Sequence, residues 1–270
     1  MEKMELKSVD TNPQIKPLIT WNDLRQYKRW EIIKELTLPL PWLVLSLVAS
    51  SHGWYFIALF AAFYFFLTGL RVTHNAFHYC LGISKTATDI VMFILSILML
   101  GSLHAVQHTH LRHHRHCLGE HDIEGAVAKL SFWGALIKGP LFPFQIHWAA
   151  WTSSRKKQKA WISLELASNI IWLALVWLVF DNLALKIHTV LMMVAYCLSA
   201  FFAVWTVHHD CDHTTWNNAR TVRSRWKSLM FYNMFYHIEH HLYPQVPTCH
   251  MAELAHRIDQ SGYCSHKKVI

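Results

Sequence analysis

Residues 36–70 contain no Asp, Glu, Lys or Arg. A single helix over that run would be about 52 Å long, well beyond the ~30 Å hydrocarbon core of a bilayer. The stretch is too apolar for a loop and too long for one span, so it must fold back on itself. Ser50, Ser51, His52 and Gly53 supply the polar break. Two antiparallel helices are expected, roughly 36–50 and 54–72, entered through Arg25, Lys28, Arg29 and Lys34 and closed near Arg71. A second apolar pair is expected at about 161–180 and 185–207, divided by Asp181 and Asn182. Neither of these two turns holds a Lys or Arg. Arg155, Lys156, Lys157 and Lys159, and later Arg220, Arg223, Arg225 and Lys227, gather at the opposite ends, which the positive-inside rule assigns to the cytosol together with both termini.

A chain that is 53% hydrophobic and 16% charged agrees with this integral membrane reading. Its net charge of +8 lies beside the apolar runs, so orientation explains it better than nucleic acid, which is set aside. Residues 1–24 are polar, broken by Pro13 and Pro17, and lack the pattern of a signal peptide. They read as a cytosolic segment, 248–270 as a polar helical tail, and 1–270 as one membrane-embedded domain. Cys80, Cys117, Cys197, Cys211, Cys249 and Cys264 have no paired spacing, so neither a disulfide framework nor a thiolate zinc site is indicated.

Clustering of the 21 histidines points to metal. Residues 74–78 read H-N-A-F-H, 107–116 read Q-H-T-H-L-R-H-H-R-H, and 233–241 read N-M-F-Y-H-I-E-H-H. On helices, His110, His113 and His114 share a face, as do His237, His240 and His241, with Asn233 one turn earlier on the latter. Two three-histidine faces and the pair His74 and His78 suggest a dinuclear site for metals that accept imidazole: iron, zinc, copper or nickel. The apolar run 90–103 is short for a span, and the second box cannot share a metal with His74 from across the bilayer. Residues 79–106 are therefore expected to dip in and return, and 125–160 to form an interfacial helix pair. His108 and His116 flank the second box. Asp122 and Glu124 either accept the second ring N–H of a ligating histidine or are solvated loop charges. His208, His209 and His213 all lie within reach at the end of the last span. His52, His147, His188, His250, His256 and His266 stand outside the boxes and read as ordinary polar residues.

The three boxes, in this order and continued by L-Y-P-Q-V-P at 242–247, resemble the membrane fatty acid desaturase and hydroxylase superfamily over about 36–250. The resemblance implies an all-α integral membrane fold of four spans in two hairpins, with a cytosolic helical cap housing two non-haem irons. It makes His74, His78, His110, His113, His114, His237, His240 and His241 the iron ligands, with Asn233 holding an iron through water. The family usually adds one histidine upstream of the last box. His209, at the end of the fourth span, is the expectation, with His208 and His213 as substitutes. No catalytic side chain beyond the ligands is implied. The implied reaction is dioxygen- and electron-dependent oxidation of an unactivated C–H bond in a lipid, which no side-chain acid or base can perform. The wording after His237 favours fatty acyl desaturation, and carotenoid ketolation or hydroxylation is the alternative. With no H-P-G-G stretch, flavin fingerprint or cysteine cluster, the electron donor is expected to be a separate ferredoxin- or cytochrome-type protein. A non-catalytic metal- or haem-binding membrane protein is the reading from another class, but haem takes one or two axial histidines, not repeated H-x-x-H-H.

Overall fold

The computed structural model describes residues 19–262; the expectations for 1–18 and 263–270, including Cys264 and His266, lie outside the described residues. Among these the chain is helical, with no β-strand: α1 (Arg29–Thr37), α2 (Leu40–Ser51), α3 (Tyr55–Phe77), α4 (Lys85–Met99), α5 (Leu103–His116), α6 (Phe132–Lys138), α7 (Phe142–Ser153), α8 (Lys156–Ala174), α9 (Leu183–Ser199), α10 (Thr206–His208), α11 (Arg225–Met230), α12 (His237–Leu242) and α13 (Met251–Gln260). Four segments are long and apolar enough to cross a membrane: Arg29–Ser51, Tyr55–Phe77, Lys156–Val179 and Leu183–His208. The first begins earlier than expected because α1 runs into α2 across Leu38 and Pro39. Pro41 falls in the first turn of α2, where its missing N–H costs no helical hydrogen bond. Phe56 is 92% exposed and Leu178 83%, an outward apolar surface that only lipid would cover.

Small residues bring the first two spans together. Ala49, Ala58, Ala61 and Ala62 are buried, and the Ser46 hydroxyl donates to the Ala58 carbonyl at 3.1 Å. The connecting turn uses Gly53 at φ 74°. Helices α4 and α5 are bent by 110° against each other. Leu100 ends α4 in the left-handed region at φ 58°, and the Ser102 hydroxyl caps α5 by accepting from the Ala105 N–H. Gly101 is required between them, because a Cβ there would lie 2.7 Å from the Tyr196 ring. The span 125–160 holds the short pair α6 and α7, whose Trp133, Ile137, Phe144 and Trp148 face outward while Ala135, Ile146 and Ala150 are buried.

Two buried polar clamps fix the helices that carry histidines. In one, Arg71 on α3 pairs with Glu35 on α1 and donates to the Tyr232 carbonyl at 2.6 Å. Asn75, on the same helix, donates to Glu35 at 3.3 Å and accepts from the Thr248 N–H and hydroxyl at 3.0 and 2.7 Å. In the other, Glu165 on α8 accepts from the Ser102 hydroxyl at 2.6 Å and from His104 Nδ1 at 2.7 Å, which ties α5 to a span. Helix α13 packs Met251, Leu254, Ala255 and Ile258 into one cluster with Ile238 and Leu242 of α12.

Candidate metal centre

The first box ends α3: His74 is its last-turn basic residue and His78 its C-cap. The second occupies the end of α5 and the third forms α12. Where these meet, ring nitrogens converge in two groups of four, His78, His110, His114 and His240, and His113, His208, His237 and His241. Within each group the atoms lie within 4.8 Å of one another, close enough to share one metal ion. His74 packs beside the first group, its ring centroid 3.9 Å from that of His240, and neither of its nitrogens has a hydrogen-bond partner.

Each H-x-x-H-H box is split between the groups, contrary to the expectation of one three-histidine face per box. His110 and His114 enter one group and His113 the other; His237 and His241 enter the second and His240 the first. Helix geometry explains the division. Residues i and i+4 are about 40° apart around the axis and i+3 lies about 60° to the other side, so two crossing helices each serve both groups.

Hydrogen bonds at the far ring nitrogens set the chemistry. His113 Nδ1 donates to Asp122 Oδ2 at 2.7 Å, His208 Nδ1 to the Asn218 carbonyl at 2.6 Å, and His110 Nδ1 to Glu124 Oε1 at 3.1 Å. Oxygen acceptors there place the proton on Nδ1 and leave Nε2 as a bare lone pair. Yet His113 Nε2 stands 3.0 Å from His208 Nε2 and 3.3 Å from His241 Nε2. Facing nitrogens at that distance need a shared proton or a metal ion between them, and one metal ion would satisfy every member of a group at once, so the donor set fits a metal. Burial holds His237, His240 and His241 well below the ordinary imidazole range and His78 at about 4, which keeps them neutral. Burial is the strongest influence on His113 and opposes its charge, but the hydrogen bonds to Asp122 and Cys117 and the nearby Glu124 carboxylate together raise it well above the ordinary imidazole range. The Asp122 bond also strengthens Nε2 as a donor to metal. Glu124 is pushed up to about 7 by burial.

Of the two readings for Asp122 and Glu124, the structure therefore supports contact with histidine. Asp122 also accepts from the Leu118 and Gly125 N–H groups, both at 2.8 Å. His209 is corrected. Its ring stacks on Trp205 with centroids 4.2 Å apart, its Nδ1 donates to the Ala128 carbonyl at 3.2 Å, and His208 takes the place expected for it. The expected helical placement of Asn233 is corrected too: α12 begins only at His237, and Asn233 sits in the preceding turn at φ 62° with its N–H on the Ser228 carbonyl, so it is not on the helical face of the three histidines. His213 and His116 are exposed, and His108 is occupied by Gln158 and Ser153. His147, His188 and His250 bond to backbone groups away from the centre.

The sequence reading missed Glu239 as a structural residue. It is fully buried, pairs with Arg223 at 2.7 Å and accepts from the Thr221 hydroxyl at 2.7 Å, while Arg223 also grips Asp259 of α13. A carboxylate inside a buried histidine run was the available signal. Beside the histidines opens an apolar cavity of about 210 Å³. His74, His110 and His237 are in its wall, and its lining runs along α3 as far as Leu59.

A family model described as Fatty acid desaturase matches residues 50–267, which include all three boxes and both four-histidine groups. No curated protein matches the chain.

Proposed function

The chain belongs to the fatty acid desaturase family, and from that premise we propose that it desaturates fatty acyl chains, using dioxygen and an external electron donor at a di-iron centre. The supporting observation is the apolar cavity that ends on His74, His110 and His237, next to both four-histidine groups. Iron is the metal of choice on this reading, since the family oxidises lipids and an all-imidazole set suits it. Two irons, when bound, supply the reduction of dioxygen that an unactivated C–H bond demands.

The balance is simple: the acyl chain loses two hydrogens, the donor gives two electrons with two protons taken up, and dioxygen leaves as two waters. The chain's own residues hold and orient. His78, His110, His114 and His240 form one ligand set, and His113, His208, His237 and His241 the other. Asp122 and Glu124 fix His113 and His110 by their Nδ1 protons. The apolar wall, including Leu70, Phe77, Leu103 and Val106, lays a methylene chain against the centre and keeps bulk water out. The four spans form two hairpins whose ends carry the boxes in a cytosolic cap, where the basic residues at 155–159 and 220–227 meet headgroups and an acidic donor.

Expression in two hosts tests the reaction, one making only saturated and common monounsaturated acyl chains and one accumulating carotene. New unsaturated acyl chains that disappear with His240→Ala support desaturation. Oxygenated carotenoids with an unchanged acyl profile overturn it.

A further inference from the structure

The cavity runs beside α3 from His74 to Leu59, about 22 Å at 1.5 Å per residue, and beside α9 and its continuation from Val207 back to Leu191. Along this flank the wall is one side chain thick. Leu59, Phe63, Val194 and Phe202 all line it, and they are 55%, 38%, 49% and 44% exposed on the outer surface of two spans. Phe63 and Phe202 meet edge-on across the gap, with centroids 6.1 Å apart. Phe202 lies in a π-helical segment, Ala200–Trp205, the kind of widened turn that recurs at functional sites.

The opposite end is roofed. Phe231, Met234 and Phe235, in and beside the turn before α12, line the cavity above His237. Among the described residues that line the cavity there is no Lys or Arg, so none of them would hold the phosphates of a coenzyme thioester or of a carrier protein's prosthetic arm. A chain handed over from water would have to pass this apolar roof. A chain already in the bilayer faces an apolar slot.

We infer that substrate enters sideways from the lipid layer, between α3 and α9 past Phe63 and Phe202, and is therefore an acyl chain still attached to a bilayer lipid. This rests on the acyl reading above, but its central test does not depend on turnover.

The full-length holoprotein is placed in nanodiscs with a phosphatidylcholine bearing a diazirine in mid-acyl chain, irradiated, and mapped by mass spectrometry. Label is expected on the inner wall, at Phe66, Leu70 or Phe235, as well as on the outward Leu178. A Phe63→Trp, Val194→Trp variant, changed only at lipid-exposed positions, is expected to lose inner-wall label roughly tenfold, as an overfilled slot would, with Leu178 label and iron content unchanged. Label on Leu178 with none inside overturns the inference, and so does inner label that the variant leaves intact. In parallel, deuterated stearoyl phosphatidylcholine and deuterated stearoyl-coenzyme A are offered with reduced ferredoxin. Preferential turnover of the phospholipid supports the route, and preferential turnover of the thioester overturns it. Inner-wall label without unsaturation of either substrate removes the acyl reading and leaves the lateral route standing.

Discussion

His208 and His209 are neighbours in sequence, yet one is 1% exposed at the centre of a four-histidine group and the other stacks on Trp205 at the edge. The distinction was not legible in the sequence, because counting 3.6 residues per turn along the last span fails at the π-helical segment 200–205. Each such turn adds about one residue and rotates the residues beyond it by about 100°. Asn233 was misplaced for a related reason, since left-handed backbone at Tyr232 and Asn233 breaks the helix that the spacing implied. The ring nitrogens of His78, His110, His113, His114, His237, His240 and His241, by contrast, do converge as the spacing suggested, because i, i+3 and i+4 spacing is a local property of any helix, while His74, expected with them, packs beside the first group and is in neither. His208→Ala is expected to leave about one iron per chain and abolish lipid oxidation, while His209→Ala keeps about two, as counted by metal analysis. Asp122→Asn removes the negative charge behind His113 and one of the two acceptor oxygens that hold it in place. Metal affinity, measured by chelator competition, is expected to fall about 10–100-fold with helix content unchanged.

Among the elements, α5 and α12 depend on contacts that the boxes themselves do not reveal. Helix α12 has six residues and could not persist alone. It is held by α13 through Leu254 and Ile258 and by the hydrogen-bonded chain Thr221, Glu239, Arg223 and Asp259, which runs from the interior to the surface. Arg223→Ala leaves the Glu239 carboxyl, already pushed up by burial, without its cation in the interior. A loss on the order of 3–5 kcal/mol is expected, read as a lower unfolding midpoint. A shift no larger than that of Arg257→Ala, whose partners Asp23 and Glu253 are half exposed, would contradict this role. The 110° bend between α4 and α5 was anticipated from the short apolar run 90–103, but its agents, Leu100 and the Gly101 fit against Tyr196, are tertiary and were not.

For the whole molecule, four apolar segments appeared within about seven residues of where the charge-poor runs placed them, since scarcity of Asp, Glu, Lys and Arg is legible without any knowledge of packing. Sidedness is a separate proposal from the distribution of Lys and Arg. Tags at both termini and near Lys157 are expected to report the cytosol, and tags at residues 51 and 182 the far side; a box on the side opposite the other two would break the shared centre. The way eight histidines partition into two crossed sets was out of reach of the sequence, because it arises only where α5 and α12 meet. That partition is the core of the functional account, and metal stoichiometry tests it most directly. Protein purified from iron-replete cells is expected to carry about two irons per chain. A single zinc per chain, with iron absent even after reconstitution, would contradict it.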